Sequence, residues 1–250
     1  QAADGHREQH ALLPELEKMK LEAQLATSAV RPTPAHWAKL DCLHLAVSID
    51  GLPAEHDVRR APATYERILK HIQGHRVIVH CTVTRQMALR PGYLSDFAKF
   101  WSQQPDARKI WFSLFTPQSG DVSQERLTPA DRARVVEELA EVASRFPKVN
   151  MPHAVLEGYT QPPAAPDECM FARLTTCLSA DLTTHLTPCQ FGGEPECGEC
   201  GCLASAGLAS LGRYKVAGLV PISTLYSMSR KLGDRNGSRG GLTPQPRLNP

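Results

Sequence analysis

Six of the eight cysteines lie between residues 169 and 202, in the run ECMFARLTTCLSADLTTHLTPCQFGGEPECGECGC. Their spacing is Cys169-x7-Cys177-x11-Cys189-x7-Cys197-x2-Cys200-x1-Cys202. The stretch between Cys177 and Cys189 alternates and turns at Asp181 like a short hairpin, which brings its two ends together. The glycine-rich turn over 197–202 can fold back so that its backbone stays clear of the thiols. Thiolates gathered in this way make a soft tetrahedral donor set, suited to Zn2+ or to an iron–sulfur cluster. Three chemistries compete on spacing alone. Disulfides suit secreted chains, and nothing else here signals secretion. Structural zinc usually shows two separated C-x2-C knuckles, whereas this run has one such pair with an overlapping C-x-C. An iron–sulfur cluster needs four cysteines and leaves two spare. The other two, Cys42 and Cys81, sit singly in apolar runs and read as buried thiols.

A second polar constellation lies in LAVSIDGLPAEHDVRR: Ser48, Asp50-Gly51, His56-Asp57 and Arg60. Arginine is well suited to bidentate carboxylate capture. The same residues also allow a plain turn at Asp50-Gly51, with Arg59 and Arg60 pairing with Glu55 and Asp57 on the surface. The other histidines, among them His44, His71, His75, His80, His153 and His185, are scattered and make no H-E-x-x-H or triad-like set. His80, between Val79 and Cys81, reads as a core or edge residue. Gly192-Gly193 and Gly240-Gly241 lack the Lys-Ser/Thr of a phosphate loop.

These groups need a scaffold, and the hydrophobic pattern predicts one. Residues 6–27 read as an amphipathic helix with Leu12, Leu16, Met19 and Leu25 on one face and Pro14 near its start. Residues 43–49 read as a strand covered on both faces. A helix over 62–73 buries Tyr65, Ile68, Leu69 and Ile72; β-branched 76–84 is the next strand. A helix over 93–103 and a third strand over 109–115 follow. Thr128 is a natural N-cap, with Pro129 at the first helical position, Asp131 in the first turn, and Val135, Val136, Leu139 and Val142 inside. Strands and helices in strict alternation predict a parallel α/β sheet. Right-handed crossovers then put loops 50–60, 85–92 and 116–124 on one edge, where ligands bind. Past residue 147 the periodicity fades, Pro162, Pro163 and Pro166 make a linker, and a boundary falls near 160. Tyr226 and Met228, in VAGLVPISTLYSMS, suggest a docking helix or a cover on the substrate side.

Composition bounds the rest. With 250 residues, 42% hydrophobic and 22% charged, the chain supports an ordinary core, which excludes collagen-like and wholly disordered classes. Nothing approaches 18 consecutive apolar residues, so no transmembrane segment is predicted. A net charge of +2 gives no global case for a nucleic-acid partner. Residues 203–250 hold seven Lys/Arg against Asp234, a charge of +6, which leaves −4 for the remainder. That basic end reads as a solvated tail, or as a segment that touches a membrane surface or partner.

Taken in order, Ser-Ile-Asp-Gly, the His-Asp-x-x-Arg turn, the helix APATYERILKHI and the strands VIVHCTVT and IWFSLFTP resemble the fourth- to sixth-strand region of radical S-adenosylmethionine enzymes. The cysteine run resembles the SPASM or twitch-like C-terminal extension that many of them carry for an auxiliary 4Fe–4S cluster. There a hairpin closes on Pro-Cys, here Pro188-Cys189, before a C-x-x-C turn, here Cys197 and Cys200. The resemblance covers about residues 40–202. Two family motifs are absent: the C-x3-C-x2-C that holds the cluster cleaving S-adenosylmethionine, and the Gly-Gly-Glu-type segment of the second strand. Only 47 residues precede Ser48, starting at Gln1, so an N-terminally truncated chain is expected.

The resemblance implies an α/β fold: the C-terminal half of a partial (β/α) barrel with parallel strands over 1–160, then a small cysteine-rich metal-binding module over 161–212 and a basic tail over 213–250. It implies that Ser48 and Arg60 hold the methionine amino and carboxylate ends, that Asp50 faces cofactor or substrate, and that Phe115 and Thr116 border the adenine. Cys177, Cys189, Cys197 and Cys200 rank first as auxiliary ligands, then Cys202 and Cys169. The implied function is generation of a 5′-deoxyadenosyl radical in the cytoplasm, driven by a ferredoxin- or flavodoxin-like reductant, to modify a small-molecule or peptide substrate. Without C-x3-C-x2-C, this chain alone is expected to lack that activity. The alternative is a non-catalytic binding scaffold stabilised by zinc or a cluster.

Overall fold

Four short strands set the frame. The computed structural model describes residues 9–216, 220–222 and 224. Its sheet comprises β1 (Ala23–Thr27), β2 (Leu43–Ile49), β3 (Val77–Val83) and β4 (Ala107–Leu114), all parallel, in the order β1-β2-β3-β4. Strand order equals chain order, so every crossover moves the same way. With right-handed crossovers, such winding sends all the helices to one face, as in half of a barrel. The α/β class with parallel strands is therefore observed.

The two faces differ as this winding requires. Leu45, Val47 and Ile49, then Val77, Val79, Cys81 and Val83, then Ile110, Phe112 and Leu114 join one core with Ile68, Phe97, Trp101, Leu139 and Tyr159. Alternate residues point the other way. There Ser48, His80, Thr82 and Trp111 are only half-buried. The expectation that β2 is covered on both faces is thus corrected: its second face is polar and partly open.

The helices follow from local signals. Between β2 and β3 stand α2 (Pro53–Arg60) and α3 (Tyr65–His71); α4 (Arg85–Ala88) and α5 (Tyr93–Gln103) lead to β4. Loop 50–60, expected to be irregular, is mostly α2. α5 buries Tyr93, Leu94, Phe97, Ala98 and Trp101. α6 (Pro129–Arg145) opens with a capping box, in which the Thr128 hydroxyl accepts from Asp131 N–H and the Asp131 carboxylate accepts from Thr128 N–H.

The expected helix over 6–27 is two elements. α1 (Gln9–Lys18) ends in a Schellman motif: Leu21 N–H donates to Leu16 O and Lys20 N–H to Glu17 O, with Lys20 at φ 57°. Lysine takes the left-handed place that glycine usually marks, so no stop signal shows in the sequence. Leu25 then belongs to β1, opposite Leu45.

Beyond α6 the chain returns to the sheet. Residues 148–150 pair with Ile110 on the outer edge of β4. α7 (His153–Thr160) packs on α9 (Leu203–Arg213) at close range, where a Cβ on Gly158 would come within 2.8 Å of the Ala206 backbone. α8 (Met170–Leu174) also lies against α9. Two short strands, β5 (Lys215–Val216) and β6 (Val220–Pro221), pair antiparallel. Tyr226, Met228 and most of the basic tail lie outside the described residues.

Candidate functional site

The turn after β2 is built by its own polar residues. Asp50 receives Nε and Nη2 of Arg60 at 2.6 and 3.2 Å, while Arg59 Nε stands 3.8 Å away. His56 is fully buried: Nδ1 accepts from Asp50 N–H at 2.9 Å, and Nε2 donates to Ala63 O at 2.9 Å. Burial pushes its pKa below the ordinary histidine value, so it is neutral. Asp57 accepts from Tyr65 N–H at the start of α3. Tyr65 Oη donates to Gly51 O at 2.5 Å and accepts from Trp101 Nε1 at 3.1 Å. His56 and Asp57 are thus builders of the turn. Arg59 pairs with Glu125 and Arg90 with Glu55, so the surface pairing of Arg59 and Arg60 with Glu55 and Asp57 is not what forms. Arg60 is held by Asp50, leaving Nη1 for another acceptor.

Ser48 lies on the open face, in register with His80 of β3. His80 is a hydrogen-bonded strand histidine, in keeping with its reading as a core or edge residue: its Nε2 stands 2.8 Å from Ser113 Oγ of β4. Ser113 Oγ also accepts from Leu203 N–H at 3.3 Å. Burial lowers the His80 pKa, so it too is neutral near pH 7. A polar line therefore crosses the sheet from Ser48 to the residue that follows Cys202. The alternation of Val79, His80 and Cys81 indicated the face but not this partner.

The cysteine segment docks by backbone on the loop after β4. Leu114 N–H donates to Gly201 O, Gly201 N–H to Thr116 Oγ1, Ser119 N–H to Glu194 O and Glu196 N–H to Pro117 O, all between 2.7 and 2.9 Å. A Cβ on Gly201 would sit 2.1 Å from Leu114 O, so only glycine allows this approach. Thr116 serves this docking. The predicted hairpin is present: Leu178 and His185 bridge antiparallel, and the Asp181 carboxylate takes the N–H groups of Thr183 and Thr184.

Five thiols line one pocket: Cys169, Cys189, Cys197, Cys200 and Cys202, walled by Pro166, Phe171, Pro188, Phe191 and Pro195. Cys177 is not in the lining; its Sγ lies 3.8 Å from Thr175 Oγ1. Burial raises the pKa of Cys189, Cys197 and Cys200, and that of Cys202 to about 11. Gln190 Nε2 donates to Cys202 Sγ at 3.1 Å. Among the described residues, no group of three or more His, Cys, Asp or Glu is placed to hold a single metal ion. Cys42 and Cys81 are buried elsewhere, as their apolar contexts predicted.

No family model and no curated protein matches the chain. Among solved structures, it is similar to a His6 tagged anSMEcpe with bound AdoMet, at 16% identity and a TM-score of 0.47. The match covers 61% of this chain and 46% of that one, so the chain spans less than half of that protein's length.

Proposed function

We propose that this chain holds a 4Fe–4S cluster among Cys169, Cys189, Cys197, Cys200 and Cys202, and serves as the auxiliary-cluster and substrate-side part of a radical S-adenosylmethionine enzyme. The observation that carries the reading is the convergence of five thiols on one carbon-walled pocket, docked at the C-terminal edge of a parallel sheet. Four ligands at about 2.3 Å from one zinc lie about 3.8 Å from each other. The described residues offer no such tight set. Thiols spread around a wider apolar pocket suit a multi-iron cluster better.

When bound, the cluster supplies one-electron redox chemistry. The residues of the chain do the rest. Burial raises the pKa values of Cys189, Cys197, Cys200 and Cys202, so these thiols are protonated when free and loading releases protons. Prolines and phenylalanines give the pocket its apolar walls. Ser48 and the free Nη1 of Arg60 are offered to the methionine end of S-adenosylmethionine, with Asp50 orienting the guanidinium. The half-open face with His80 and Thr82 is offered to a small-molecule or peptide substrate. The sequence lacks C-x3-C-x2-C, so no cleavage of S-adenosylmethionine is routed through this chain.

The test is anaerobic purification with iron and sulfide assay and an absorption spectrum. Iron, sulfide and a broad band near ~400 nm are expected. Colourless protein with stoichiometric zinc would favour the scaffold reading and overturn this one.

A further inference from the structure

Two arginines grip the Cys197–Cys200 turn from outside, and they do so differently. Arg126 meets the Glu199 carboxylate through two nitrogens, at 2.9 and 2.6 Å, so its charge is neutralised where it acts. Arg132, on α6, meets backbone only. Its Nη1 and Nη2 donate to Cys200 O at 3.1 and 3.0 Å, and Nη2 also donates to Glu199 O. Among the described residues no carboxylate forms an ion pair with it; the Glu199 carboxylate, taken up by Arg126, acts on it only at longer range. Desolvation lowers its pKa, yet a guanidinium keeps its proton far above neutrality. An unpaired positive charge is thus fixed against the carbonyls beside a pocket thiol.

Resting on the cluster reading above, we infer that Arg132 is a positioning residue that sets the reduction potential of the group held by the cysteines. Uptake of one electron makes a thiolate-bound cluster one unit more negative. A fixed cation close by favours that reduced state, because net charge and hydrogen bonding around a cluster govern its potential. Arg126 builds the same turn but brings its own counter-charge. It is therefore the internal control.

The experiment is an EPR-monitored dithionite titration of reconstituted wild-type protein and of Arg132→Met, Arg132→Gln, Arg132→Lys and Arg126→Met. A lower midpoint potential is expected in Arg132→Met and Arg132→Gln. Arg132→Lys, which keeps the charge, stays near wild type, and Arg126→Met shifts less than Arg132→Met. Arg132→Gln, which retains an amide donor for the carbonyls, is read if Arg132→Met does not fold. Equal potentials in wild type and both neutral variants would overturn the inference. So would an equal shift in Arg126→Met. Failure of both neutral variants to bind a cluster while Arg132→Lys binds one would assign Arg132 to building the turn alone, and overturn tuning. A wild-type protein that takes up no cluster fails earlier, and sinks the functional reading itself.

Discussion

Gly201→Ala tests whether the cysteine segment depends on its backbone contact with the sheet. The new methyl carbon would lie 2.1 Å from Leu114 O, 2.4 Å from Leu114 C and 2.5 Å from Leu114 Cβ. None of these is the far end of a flexible side chain, and Leu114 is locked between Val83 on one side and Gly201 on the other. The turn must therefore lift. Lifting breaks the Leu114–Gly201 and Gly201–Thr116 hydrogen bonds, at about 1 kcal/mol each. Residual overpacking adds about 1–3 kcal/mol. The sum, about 3–5 kcal/mol, corresponds to a fall in Tm of about 6–20 °C if the segment unfolds with the rest. Calorimetry reads the fall, and limited proteolysis within 190–203 reads the undocking. Gly207→Ala is the control: a Cβ there meets nothing within 4 Å, and alanine in a helix gains about 0.5–1 kcal/mol. A Gly201→Ala protein with wild-type Tm and protease resistance would refute the docking argument.

Other substitutions separate ligands from core thiols. Cys200→Ala should lower bound iron per chain, whereas Cys42→Ala should keep it, as measured by iron assay after reconstitution. Cys81→Ala should also keep iron while losing about 1–2 kcal/mol of stability, because it removes a fully buried sulfur. Thr128→Ala removes a capping box and should cost about 1 kcal/mol in denaturant unfolding, with iron content unchanged. For pH, His56 and His80 have folded pKa values below their unfolded ones. The unfolded chain then binds more protons, so their contribution is complete above the unfolded pKa of about 6.5 and is lost as pH falls below it. Unfolding free energy should decline from pH 7 to 5, with a shallower slope in His56→Asn and His80→Asn.

The sheet was legible wherever sequence signals were local. The apolar run 43–49, the β-branched run 77–83 and the Thr128 cap all carry their structure in neighbouring residues. α1 was not, because its end rests on Lys20 in a left-handed conformation, and lysine does not announce that. β1 was hidden by the same gap: AQLAT is too short and too weak to declare itself until it meets β2. In the site, the hairpin around Asp181 followed from turn chemistry. The gathering of five of the six cysteines around one pocket did not, because it rests on tertiary contacts such as that of Gly201 with β4, 87 residues apart in the chain. Pairings such as Arg60 with Asp50 or Arg59 with Glu125 are likewise choices among several nearby charges, which tertiary geometry alone decides.

Sheet winding links the two halves of the site. Because all four strands are parallel, Asp50 at the end of β2 and Leu114 at the end of β4 share one edge, two strand spacings apart. Gly201 adds a third spacing beyond β4. At about 4.8 Å each, the pocket segment stands roughly 14–15 Å from the Asp50–Arg60 pair. Ser48, His80 and Ser113 lie between, on the one sheet face that the helices leave open. A molecule lying on that face could touch both ends at once. Shifting the cysteine segment away from β4 would lengthen the gap and break the Ser113–Leu203 contact together. The glycine at 201 and the serine at 113 therefore act as one device. The glycine lets the segment come close, and the serine ties its arrival to the polar face on which Ser48 and His80 stand.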